Sequence, residues 1–242
     1  MAETARRGAS RLSRIGLAVS VSLAFVLLAG LGTWQLERLQ WKLGLIAERQ
    51  AAVDAPPVTL ERPAEAAGLP EFRHVRVGGT FRHEAEIAVG PIGHDGVPGW
   101  RVVTPLALGD GGYVLVDRGF VPDELKRPAS RAAGQVAGPV VVDGLLRRPS
   151  PKGYFAPDND PAGHNWFRID PAAMGKALGL DRVAPFWVAA GKAANPGGWP
   201  RGGADVVMPR NEHLQYAITW YSLAIALLVI YVLLLRKQRQ GS

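Results

Sequence analysis

The sequence predicts a membrane protein in which two transmembrane α-helices flank one β-rich α+β soluble domain, a small barrel or a sandwich. Three observations predict it. No charged residue lies between Arg14 and Glu37. None lies between His213 and Arg236. Between these stretches the chain alternates short apolar runs with Gly/Pro turn signals, the pattern of strands and hairpins. Each uncharged stretch is 22 residues long. About 20 apolar residues cross a bilayer core as a helix, and a buried soluble helix seldom runs so far without a charge.

Residues 1–14 form a basic tail, 15–36 the first span, 37–212 the soluble domain, 213–235 the second span and 236–242 a second basic tail. The formal charge is +7, and it is concentrated at the ends. Arg6, Arg7, Arg11 and Arg14 against Glu3 give one tail +3, and Arg236, Lys237 and Arg239 give the other +3. Tails of this kind mark cytoplasmic ends and place the middle of the chain on the opposite side. They are not the basic face of a nucleic-acid-binding domain, so no nucleic-acid partner is expected. The expected setting is a bacterial inner membrane with the soluble domain in the periplasm. A mitochondrial inner membrane is the alternative. Ala29-Gly30-Leu31-Gly32 is a poor cleavage site, so the first span reads as a retained anchor and not a signal peptide. With no cysteine, thiol redox chemistry and thiolate metal sites are excluded.

The first helix is expected to run beyond the span. Trp34, Arg38 and Trp41 recur at helical spacing, and so do Leu39, Leu43 and Ile46. This carries the helix to about Ala52, before Pro56-Pro57 ends it. Strands are expected over 72–81, 86–89, 100–108, 113–120, 140–147, 166–169 and 186–189. Gly78-Gly79, Pro91 and Gly109–Gly112 read as turns. The last of these makes 100–120 a hairpin. Asp170 and Pro171 open a short helix to Leu178 as N-cap and first-turn proline. The Gly/Pro-rich stretch 191–203 reads as a loop.

No zinc helix motif, phosphate loop, dinucleotide fingerprint or nucleophile elbow occurs. His74, His83, His94 and His164 are scattered without metal-ligand spacing. His213 differs, because it stands at the outer mouth of the second span beside Glu212 and Arg210. A histidine there can anchor the helix, or ligate iron through a neutral imidazole. Ala217 and Trp220 continue its helical face, with Tyr216 adjacent. The topology brings this end near Trp34, Arg38 and Trp41. Trp34, Trp41, Tyr216, Trp220 and Tyr221 also read as an interfacial aromatic belt. An imidazole, aromatic walls and a guanidinium suit a flat, anionic, amphipathic cofactor such as haem.

Several motifs occur in an order that resembles a known family. They begin with Leu31-Gly32-Thr33-Trp34-Gln35-Leu36-Glu37-Arg38, Trp41-Lys42 and Leu45-Ile46. Residues 73–81 and 100–106 follow, then Val114-Leu115-Val116-Asp117-Arg118-Gly119-Phe120-Val121-Pro122. Next come Gly144-Leu145-Leu146-Arg147, Lys152, Phe155 and Pro157-Asp158-Asn159-Asp160-Pro161. Trp166-Phe167, Ile169-Asp170, Pro209, Asn211, His213-Leu214-Gln215-Tyr216-Ala217 and Thr219-Trp220 complete the set. In this order, with two spans, they resemble the Surfeit locus protein 1 family of cytochrome c oxidase assembly factors. Asp117 and Phe120 stand where that family commonly has Asn and Trp, and Glu212 replaces the second Asn of an Asn-Asn-His motif.

The resemblance implies a non-enzymatic protein that binds haem a and helps it reach oxidase subunit I. It implies His213 as the haem ligand, and so the metal-binding residue. Trp34, Gln35, Arg38, Tyr216 and Trp220 join it on the ground of membrane depth alone. Membrane lipid and a haem a synthase are the other expected partners. Two further readings stay open: a structural chaperone of subunit I without direct haem transfer, and a membrane-anchored periplasmic enzyme. Arg118 is expected to pair with a carboxylate and hold the fold, and Gly119 to serve a tight turn.

Overall fold

The structure is a computed structural model describing the backbone of residues 2–154, 156–203 and 209–240, with side chains from residue 15 onward. Phe155 and the side chains of the first basic tail lie outside the described residues. The chain divides into two compact units. One holds the two long helices, and the other spans residues 49–207.

Helix α1 (Ala2–Asp54) and helix α3 (His213–Gln240) are each long and apolar enough to cross a membrane. At 1.5 Å per residue, 22 uncharged residues span about 33 Å, enough for the hydrocarbon core. As the spacing of Leu39, Leu43 and Ile46 predicts, α1 continues well past its uncharged stretch. It stops two residues before Pro56.

The second unit contains seven strands. They are β1 (Val58–Leu60), β2 (His74–Phe81), β3 (Ile87–His94), β4 (Val97–Ala107), β5 (Tyr113–Pro122), β6 (Pro139–Arg147) and β7 (Val183–Ala190). Their order is β1-β2-β6-β7-β5-β4-β3. A further pairing of β2 with β4, Thr80 to Ala107 and Phe81 to Leu106, closes the sheet into a small barrel. The sandwich alternative is thereby removed. Along one edge β2 pairs first with β1 and then with β4, while β4 pairs first with β3 and then with β2.

Closure leaves apolar residues on both faces of the central strands. Val75, Val77, Leu106, Val114, Val116, Phe186 and Val188 form one core. Their neighbours in sequence, Leu115, Trp187 and Ala189, form a second with Val103, Trp166, Ile169 and Met174. Helix α2 (Pro171–Ala177) covers this outer face through Met174. Its Asp170 cap accepts from the Ala173 amide at 3.1 Å, as expected.

Four local expectations are corrected. Gly78-Gly79 is not a turn but lies inside β2. A Cβ on Gly79 would stand 2.5 Å from the Ala107 carbonyl oxygen, so glycine permits the crossing that closes the barrel. Pro91 does not end a strand. It sits within β3, the last strand of the order, at an irregularity between Val89 and Ile92. An edge position tolerates its missing N–H. Residues 166–169 form no strand, only a single bridge from Trp166 to Val89. The Asn159 side chain takes their backbone groups instead: Oδ1 accepts from the Phe167 and Arg168 amides, and Nδ2 donates to the Arg168 carbonyl. Gly119 marks a bulge in β5 with φ 113°, where its amide donates to Asp117 Oδ1 at 3.0 Å. A Cβ there would overlap the Arg201 carbonyl.

The β5 segment also buries charge. Arg118 is 1% exposed, and its guanidinium lies 3.8 Å from Glu86, 3.3 Å from Asn195 Oδ1 and 4.8 Å from the Phe81 ring centre. It also donates to the Gly134 carbonyl. Arg131 donates twice to the same Glu86. One carboxylate thus serves two buried arginines, which bears out the expected pairing. Burial pulls the Arg118 guanidinium down to about 10, Glu86 opposes that shift, and Arg131 adds to it. On the outer face, buried Asp117 lies 3.3 Å from Arg101. Burial raises its pKa above the ordinary carboxylate value, against the pull of Arg101 and the Gly119 amide.

Two outcomes follow from these buried charges. Glu86→Gln leaves two buried guanidiniums without a countercharge and is expected to cost about 3–5 kcal/mol, read as a fall in the unfolding midpoint. The Asp117 pKa is higher folded than unfolded. Its contribution is therefore fully present below the unfolded value, about 3.9, and is lost as pH rises through the folded value. Asp117→Asn, which keeps an acceptor for the Gly119 amide, should raise the midpoint at about pH 7–8. The difference from wild type should narrow toward about pH 4, and a pH-independent difference would contradict this origin.

Candidate functional site

The unit built from α1 and α3 carries the candidate site. Small residues let the two helices approach. Ala217 and Ala224, seven residues apart on α3, are 1% and 2% exposed. On α1, Gly32 is buried against the Tyr221 ring, and a Cβ there would stand 2.9 Å from the ring carbon Cζ. Within a bilayer such close packing, together with interhelical hydrogen bonds, is what holds helices together. One such bond is present. The Thr33 hydroxyl donates to the Ala29 carbonyl at 3.0 Å, so its oxygen is left to accept from the Tyr221 hydroxyl, also at 3.0 Å.

His213 is the first residue of α3, on the face that continues through Ala217 and Ala224. Its Nδ1 lies 2.6 Å from Gln35 Oε1. An amide oxygen can only accept, so Nδ1 carries the proton and donates. In the neutral ring, Nε2 then keeps its lone pair. A second group that fixes the tautomer and orientation of an imidazole is the usual accompaniment of a metal-ligating histidine. Gln35 was expected at this site from membrane depth alone, and the structure gives it this contact.

The other expected residues are placed differently. Arg38 lies over Trp41, with its guanidinium carbon 4.5 Å from the ring centre, as a cation–π pair one turn apart on α1. Trp34 and Tyr216 are each about half exposed, at 49% and 52%. Trp220 is half-buried, and its indole Nε1 is buried without a hydrogen-bond partner among the described residues. Both amide atoms of Asn211, two residues before His213, are likewise buried and without a partner among the described residues. Tyr221, read as part of an aromatic belt, joins the two helices through Thr33 and Gly32. Sequence reasoning missed the role of Thr33 and Tyr221. The seven-residue Ala217–Ala224 spacing was the available signal for that face.

Among the described residues, no three His, Asp or Glu side chains converge as a metal site. A metal held at His213 would therefore need its remaining ligands from elsewhere, and a macrocycle supplies them. The side chains fit haem in kind: one imidazole with a free lone pair, exposed aromatic rings, a guanidinium, and buried donors on Trp220 and Asn211 that lack acceptors. Haem, if bound, would be held through His213 and would supply an iron able to accept the imidazole lone pair.

The family model described as the SURF1 family matches residues 22–225, from within α1 to within α3. The chain belongs to the SURF1 family. A SURF1-like protein of Monosiga brevicollis is 41% identical over 220 residues, covering 86% of this chain and 83% of its own. Surfeit locus protein 1 of Homo sapiens is 38% identical over 214 residues, covering 81% and 70%. The Mus musculus protein is 39% identical over 213 residues, covering 81% and 68%. The matched span contains the ordered motifs from Leu31 to Trp220. These relatives are eukaryotic, so the match supports a SURF1 family member and leaves the bacterial setting as a proposal.

The helix pair gives a graded test. Gly32→Leu forces the Tyr221 ring out of its seat and is expected to cost about 1–3 kcal/mol. Tyr221→Phe removes only the hydroxyl bond, worth about 0.6 kcal/mol inside a membrane. Detergent unfolding followed by tryptophan fluorescence should rank them in that order, and equal effects would contradict the packing described.

Proposed function

We propose that this protein is an assembly factor for cytochrome c oxidase that binds haem a through His213 and aids its insertion into subunit I. The observation that carries the proposal is the 2.6 Å bond from His213 Nδ1 to Gln35 Oε1. It ties one helix to the other through the imidazole and leaves Nε2 available as a ligand. In this reading Trp34, Tyr216 and Trp220 offer rings to the flat faces of the macrocycle. Arg38 offers a cation to its carboxylates. Family membership and the donor set both support it. The role is binding and hand-over, not catalysis. A haem a synthase is the donor side of the exchange, and subunit I the acceptor. The basic tails support a bacterial inner membrane with the barrel in the periplasm.

The test is the visible absorption spectrum of the protein purified in detergent after co-expression with haem a synthesis enzymes. Wild type should carry a haem a spectrum. His213→Ala should lose it or shift it. Gln35→Leu, which removes the acceptor from Nδ1, should weaken haem affinity about 10–100-fold, as loss of such a supporting group does. A folded wild type without haem, or a His213→Ala spectrum identical to wild type, would overturn direct binding and favour a structural chaperone of subunit I.

A further inference from the structure

The outer face of the barrel has a cleft of about 280 Å³ whose wall, among the described residues, carries five cations and no carboxylate. Arg101 comes from β4, Arg147 from the end of β6, and Arg148 and Lys152 from the chain that leaves it. Arg168 comes from the segment held by Asn159. The floor is apolar, built on Trp187 and Ile169, which are 5% and 9% exposed.

These cations are held in place before any ligand arrives. The Arg147 and Arg101 guanidinium carbons lie 5.2 Å and 6.0 Å from the Trp187 ring centre. Arg147 is bonded to Glu71 at 3.0 Å, and Lys152 to Asp158 at 2.7 Å. Arg101 reaches Asp117 at 3.3 Å, and Arg168 lies 3.8 Å from Asp170. All four carboxylates stand outside the wall. Arg148 donates to the carbonyls of Ala66, Ala67 and Leu69, which orient it without cancelling its charge. The Arg168 Nε is buried with no acceptor among the described residues. A buried donor left without a partner is costly, and a charged one more so, unless something else accepts from it. Arg148 and Ser150 each precede a proline, which bars helix there and stiffens the chain.

We infer that this cleft is a binding site for a phosphate group carried on a small organic body. Several forked guanidiniums converging on one small volume from different directions match the tetrahedrally set oxygens of a phosphate monoester or diester better than the coplanar pair of a carboxylate. Trp187 and Ile169 give the organic body an apolar seat. The volume is just below that of typical small-molecule sites, which run from about 300 to 1,000 Å³. It suits a compact phosphate monoester or a phospholipid headgroup. The cleft shares no residue with the His213 site, and its test does not depend on haem.

The experiment uses the full chain in phosphatidylcholine nanodiscs, titrated calorimetrically with sn-glycerol 3-phosphate, wild type beside K152Q/R168Q. In a second arm about a third of the lipid is phosphatidylglycerol, and the unfolding midpoint is read. Glycerol phosphate binding that weakens about tenfold or more in the variant identifies a free phosphate monoester. A phosphatidylglycerol-dependent rise in midpoint that the variant abolishes, without glycerol phosphate binding, identifies a headgroup. Neither response, or responses unchanged in the variant, overturns the inference. If the double variant does not fold, Lys152→Gln alone carries the test, because that side chain is 37% exposed.

Discussion

Two residue pairs, Thr80 with Ala107 and Phe81 with Leu106, join the far parts of the sheet, and most of what surrounds them depends on that join. A closed sheet has an inside. Once β2 meets β4, alternate residues of β5 and β7 face either a sealed interior or a covered exterior, and both must be apolar or paired. The consequence is visible in the run from Val114 to Arg118, where every residue is buried. Val114 and Val116 fill the interior, and Leu115 fills the outer core. Arg118 is tolerable only because Glu86, Gly134 and Asn195 receive its charge and its N–H groups. The bulge at Gly119 then brings the Arg201 backbone against β5.

The helix unit follows a different economy. Lipid offers no hydrophobic reward for helix pairing, so contact depends on small residues and on bonds between side chains. Gly32, Ala217 and Ala224 supply the first, and Thr33–Tyr221 and Gln35–His213 the second. The Gln35–His213 bond is the more informative of the two. It uses one ring nitrogen structurally and, in the neutral ring, leaves the other its lone pair. Asn211 and Trp220 carry polar groups of the same unit that are buried without partners among the described residues.

Much of this was legible in the sequence, for identifiable reasons. The two spans follow from unbroken apolar composition, which no tertiary contact needs to supply. The 100–120 hairpin and helix α2 follow from local turn and cap chemistry, at Gly109–Gly112 and at Asp170-Pro171. His213 stood out because a histidine at the mouth of a 22-residue apolar stretch is a local anomaly. The placing of Arg118 against a carboxylate follows from the cost of burying a lone charge.

What only the tertiary structure decided is which edges and which distant side chains meet. Periodicity tells the two faces of a strand apart but is silent on its neighbours, so barrel and sandwich looked alike until β2 was seen beside β4. Gly78-Gly79 reads as a turn in isolation, because the crowding that demands glycine comes from Ala107, far along the chain. The 166–169 run has strand composition, yet its backbone bonds go to the Asn159 side chain. Gln35 and His213 are 178 residues apart, and no local pattern encodes a bond between them. Composition and spacing determine what each segment can bury. The packing of two helices and the closing of one sheet determine what each buried group touches.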